Sequence, residues 1–120
     1  MDVSFLLSYD ELFTLMTLSP EVSAAGRRFT ESALPGAEMC DLTGLVEKKL
    51  ARWVGSELEI ASVVRMASDA IAQADSLVEQ ESSWVVYSPW VTLICSQYLY
   101  RENHIKITPV EEMATRENTD

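Results

Sequence analysis

The side chains of this 120-residue chain that could do covalent chemistry are few. Its one histidine, His104, and the second of its two cysteines, Cys95, both lie in a strand-rich C-terminal stretch. A thiol–imidazole dyad built from them would be the nucleophile and base of an acyl-transfer site. The dyad needs the two side chains within hydrogen-bond reach. With Glu102-Asn103 as a hairpin turn, Asn103 tolerating a positive φ, Tyr100 falls opposite Ile105, Tyr98 opposite Ile107 and Cys95 opposite Val110. That register keeps Cys95 away from His104, which then reads as a surface residue flanking the turn. The carboxylate pairs Glu57/Glu59, Asp69/Asp75 and Glu111/Glu112 read as polar helix faces or tail, without the burial or spacing of an acid–base dyad or a metal site. Cys40 and Cys95 form no CxxC or Cys/His pattern, and the four glycines form no phosphate loop. No catalytic residue, cofactor or metal is expected, and the chain reads as a non-enzyme.

Residues suited to binding are easier to find. The expected partner-binding set is Trp90, Tyr98 and Tyr100 on a long strand, with Arg101 and His104 at the hairpin tip. Trp53, Trp84 and Trp90, with four tyrosines, suit core packing and an interface better than a ligand pocket. Lys48 and Arg52 stand one turn apart beside Glu47, which reads as a solvated helix face.

The formal charge of −10 narrows the choice of partner. Nucleic acid requires clustered Lys and Arg, whereas these nine basic residues are scattered apart from Arg27-Arg28 and Lys48-Lys49-Arg52. An anionic bilayer surface is disfavoured for the same reason. There is no basic, apolar leader pattern at the start and no run of transmembrane length. Two thiols without a pairing pattern suit a reducing compartment. A cytoplasmic protein with a protein partner is expected.

The elements that would position these residues follow from periodicity and caps. Val3–Leu7 reads as a strand, and Ser8 with Glu11 as a capping box opening a helix at Tyr9. A second helix is expected from Pro20 to about Phe29, and Leu34-Pro35-Gly36 is a turn. Asp41 is expected to cap a helix carrying Leu42, Leu45, Val46, Lys49, Leu50 and Trp53, stopped by Gly55. Ser56 and Glu59 read as another capping box, opening a long Ala-rich helix from Glu57 to Leu77. Glu79–Ser83 reads as a polar linker. Trp84–Val110 is then a β-meander ending in a hairpin, with Trp90–Tyr100 as its long strand.

One face of that hairpin would carry Trp90, Ile94, Tyr98, Tyr100, Ile105 and Ile107, and the other Val91, Leu93, Cys95 and Leu99. Apolar residues on both faces imply a strand central in its sheet, or one with helices on one side and a partner on the other, the second suiting so small a domain. The expected fold is α+β: one domain over residues 1–110, a small antiparallel sheet with three to four helices on it, and a flexible acidic tail over 111–120. The order helix, turn, helix, hairpin also fits a winged-helix-like arrangement. A winged helix-turn-helix regulator is therefore the alternative function, although Glu57 and Glu59 at the recognition helix would repel phosphates.

The run Leu7-Ser8-x-x-Glu11-Leu12, then Gly44-Leu45-x-x-Lys48-x-Leu50, a long Ala-rich helix and strands ending in His104-Ile105-x-Ile107-x-Pro109 resembles one half of the EspG-type chaperones of type VII secretion systems. The resemblance implies an α+β chaperone or adaptor that holds a helical-hairpin secretion substrate. Family members have two pseudo-symmetric halves. A chain with length for one half would restore the pair as a homodimer.

Overall fold

The computed structural model describes residues 4–110; Val3, the tail over 111–120 and the Glu111/Glu112 pair lie outside the described residues. The chain runs β1 (Phe5–Ser8), α1 (Tyr9–Met16), α2 (Ala24–Ala33), α3 (Gly44–Glu47), β2 (Ala51–Val54), β3 (Glu57–Ile60), α4 (Ser62–Ala72), β4 (Ser76–Glu79), β5 (Ser83–Tyr87), β6 (Thr92–Gln97) and β7 (His104–Val110). The fold is α+β as expected. A five-stranded antiparallel sheet in the order β1-β7-β6-β5-β4 carries the helices, and β2 and β3 form a separate hairpin.

Period-two patterning decides which sheet face the helices cover. Phe5, Ile107, Cys95 and Trp84 line up across four strands, and Leu93, Val86 and Leu77 form a parallel row. All of these are buried against Leu12, Leu15, Phe29, Val64, Ala67 and Ile71 of α1, α2 and α4. Phe29 meets Trp84 edge-on, with ring centroids 6.0 Å apart, and Trp84 Nε1 donates to Ser32 Oγ at 2.8 Å.

The Ser8–Glu11 capping box forms as expected: Glu11 N donates to Ser8 Oγ at 3.1 Å and Ser8 N donates to Glu11 Oε1 at 2.8 Å. The second helix starts later than Pro20, at Ala24, because Ser23 caps it by accepting from Gly26 N. Ser23 also joins α2 to the end of α4, donating from its backbone N to Ala72 O and from Oγ to Ala74 O. A Cβ on Gly26 would stand 2.5 Å from Ala72 O, so this close approach of α2 to α4 requires glycine.

The middle of the chain differs most from expectation. The helix expected after Asp41 is a single turn. Lys49 takes φ 64°, Lys49 N donates to Val46 O and Leu50 N donates to Leu45 O, a Schellman stop built on lysine. Trp53 therefore lies in a strand. Gly55, at φ 64°, and Ser56 connect β2 to β3, the Gly-first arrangement of a tight hairpin turn. The Ser56/Glu59 capping box does not form, and Glu59 accepts instead from Arg52 Nε across the hairpin at 2.6 Å. The long helix shortens at both ends to α4, and Leu77 belongs to β4.

The winged-helix-like arrangement does not form. A hairpin, not a helix, precedes α4, and most of α4 is buried, including Val64, Ala67, Ser68, Ala70 and Ile71, so it cannot enter a groove of DNA.

The Trp90–Tyr100 strand is also shorter than expected. Ser88 and Val91 close a turn through Ser88 N to Val91 O, Ser88 Oγ to Val91 O and Val91 N to Ser88 Oγ, with Pro89 and Trp90 as its central residues. At the far end Tyr98 N donates to His104 O, enclosing the residues between them in a loop. Asn103 has the expected positive φ, 56°. The longer loop moves the register: Gln97, not Tyr100, pairs with Ile105, and Cys95 pairs with Ile107. An odd shift exchanges the faces, so Leu93 and Cys95, rather than Ile94, share the core with Ile105 and Ile107.

Candidate docking surface

The sheet face away from the helices is crossed by three rows. Leu6, Lys106, Ser96 and Ser83 form the first, Thr108, Ile94, Val85 and Val78 the second, and Val110, Thr92, Tyr87 and Ser76 the third. Ile94 and Tyr87 are each 42% exposed and Val78 44%, while Val85 between them is half-buried. They make an apolar stripe across β6, β5 and β4. Lys106 is the one charged residue in the rows, and no Asp or Glu stands in them, in a chain with nineteen acidic residues. Solvated sheet faces are ordinarily broken by charged side chains, so this face has the composition of one that meets another protein.

The five residues expected to bind a partner do not form one patch. Trp90, 45% exposed, lies in the β5–β6 turn at one end of β6. Tyr98, Tyr100, Arg101 and His104 lie at the other end. Tyr98 and Tyr100 pack edge-on, ring centroids 5.5 Å apart, and Tyr100 is 88% exposed beside Leu99. Both tyrosines belong to the loop, not the long strand. Val85, Tyr87 and Val78 are absent from the expected set, because a helix running to Leu77 followed by a polar linker from Glu79 leaves no strand at β4 to pair with Trp84–Tyr87. The alternation in Trp84-Val85-Val86-Tyr87 was the signal that could have found them.

His104 is not a surface residue. It is 8% exposed, and its Nδ1 lies 2.8 Å from Glu102 O, so Nδ1 carries the proton and donates. Its Nε2 then accepts from Lys48 Nζ at 3.0 Å. Lys48 Nζ also pairs with Glu11 Oε1 at 2.6 Å, the oxygen that caps α1. Lys48 is therefore a half-buried strut joining α1, α3 and β7, where a solvated helix face was expected. Gly44 makes room for it: a Cβ there would stand 2.7 Å from Glu11 Oε2. Burial, first, and then the positive charges of Lys48 and Arg101 pull the His104 pKa below its ordinary value of 6.5, against a smaller opposing pull from the Glu102 carbonyl and Glu11. Ser8, Glu11, Glu47, Lys48, Arg101 and His104 line a polar recess of about 280 Å³.

Neither thiol reaches this recess. Cys95 is fully buried in the helix-facing layer, where desolvation drives its thiol pKa far up. Cys40 is held by Thr14, whose Oγ1 accepts from Cys40 N at 3.0 Å, and burial raises its thiol pKa too. Among the described residues no three His, Cys, Asp or Glu side chains are gathered to hold a metal, and no helix is long and apolar enough to cross a membrane. No family model, curated protein or solved structure matches the chain.

Proposed function

We propose that this chain is a non-catalytic cytoplasmic protein-binding module, an adaptor or chaperone that holds a helical segment of a partner on its open sheet face. The observation that carries the reading is the carboxylate-free apolar stripe of Ile94, Val85, Val78 and Tyr87. Exposed apolar side chains on the open face of a two-layer α+β sheet are covered by a helical layer when a partner supplies one. Charge favours a basic partner over a second copy of the chain, because two copies would bring −10 against −10. The resemblance to EspG-type chaperones adds the setting, in which the partner is a secretion substrate kept soluble before export.

The test combines pull-down and sedimentation. Wild type, Ile94→Glu and Val85→Glu are used to capture partners from native cytosol, with Glu31→Lys on an exposed helix position as control. The reading expects a stoichiometric helical protein to be lost with both stripe variants and kept by the control. Loss with neither stripe variant counts against the face, and a concentration-dependent dimer abolished by Ile94→Glu replaces the partner with a second copy.

A further inference from the structure

We propose that Lys48 and His104 form a proton-operated latch, which holds residues 44–60 against the end of the main sheet while His104 is neutral and releases them when it is protonated. The geometry is specific to the neutral ring. Nδ1 donates to Glu102 O at 2.8 Å, leaving the Nε2 lone pair to accept from the Lys48 ammonium at 3.0 Å. Protonation places a hydrogen on Nε2 that points at the ammonium, so the bond is lost and two cations face each other. Glu11 lies within the same cluster and is the alternative acceptor for either cation.

Every element packed against the ring presents a group to it. α3 brings Lys48 and Glu47, α1 brings Glu11, and the loop before β7 brings Arg101 and the Glu102 carbonyl. β1 brings the uncharged Ser8, and β6 leads into Tyr98, whose backbone N–H is bound to His104 O. The direction of the His104 pKa agrees with this setting, since burial with the two cations outweighs the Glu102 carbonyl and the Glu11 carboxylate.

Residues 44–60 are built to be released. Leu45 is their fully buried anchor, while Leu50, Ala51 and Ile60 are half-buried and Trp53 and Val54 are more than half exposed. Lys48 makes the only side-chain hydrogen bonds that join this segment to the rest of the described residues. A hairpin held by one fully buried side chain, the half-buried edges of Leu50, Ala51 and Ile60 and one polar strut opens locally at lower cost than the sheet core.

Amide hydrogen exchange at pH 7.5 and 5.5, corrected for intrinsic rates, tests the latch alongside an NMR titration of the His104 ring. Protection over 44–60 is expected to fall as His104 titrates, by about tenfold for each unit separating its pKa in the latched and released states, while β6 amides keep theirs. His104→Gln, whose side-chain oxygen still accepts from Lys48, is expected to stay latched at both pH values. Lys48→Met is expected to be released at both. Unchanged protection over 44–60 with His104 shown to be protonated overturns the latch, as does the same acid response in either variant.

Discussion

Glu11, Lys48 and His104 come from three distant parts of the chain and are joined through two hydrogen bonds of the Lys48 ammonium. His104 has a folded pKa below its ordinary 6.5. Between the two values the unfolded chain binds the proton that the folded chain refuses, so the unfolded state gains as pH falls. The stabilisation is therefore complete above about pH 6.5 and is lost as pH drops from there through the folded value. Urea denaturation from pH 8 to pH 5.5 is expected to show wild type losing stability over this window and His104→Gln following a flatter line. A wild-type curve as flat as that of the variant would remove His104 from the account. None of this was visible in the sequence, because the cluster depends on α3 ending one turn after it begins.

At the scale of elements, the parts that were legible in sequence were those governed by local chemistry. The Ser8–Glu11 box, the strand alternation after Trp84 and the positive φ at Asn103 each depend on a few neighbouring side chains. The misread elements had two acceptable local solutions. Gly55-Ser56 between Trp53-Val54 and Glu57-Leu58 is a hairpin signal, but Ser56 and Glu59 also match a helix cap, and tertiary packing selects the hairpin. The stop before it was hidden because the left-handed residue is Lys49 rather than glycine. Lys49→Gly separates the two structures by sign. With the observed stop it is expected to stabilise the protein by roughly 0.5–1 kcal/mol, since it relieves a left-handed side chain. In a continuous helix it would cost about 1 kcal/mol instead.

The hairpin register has its own check in the thiols. With Cys95 in the helix-facing layer, an aromatic disulfide reagent is expected to titrate Cys40 slowly in the native protein and to reach Cys95 only after denaturant is added. Prompt reaction of both thiols under native conditions would contradict the register that buries Cys95 beside Ile107.

At the scale of the whole molecule, a chain of net charge −10 has, among its described residues, no acidic side chain in the rows of one broad sheet face and places exposed apolar residues there. The sequence pointed to such a face through a strand apolar on both sides, and the structure places the residues it nominated away from the apolar stripe. The aromatics that stood out in sequence, Trp90 and Tyr100, lie in turns at opposite ends of β6, because Pro89 and the loop after Gln97 end the strand early.

The measurement that tests the docking face most directly is site-specific photo-crosslinking in native cells, with a benzoyl-phenylalanine replacing Tyr87 in one strain and the exposed Leu18 on the helical side in another. A discrete crosslinked product from position 87, reduced by Ile94→Glu in the same chain and missing from position 18, is the predicted result. No product from position 87, or the same product from both positions, would contradict the claim that this face receives the partner.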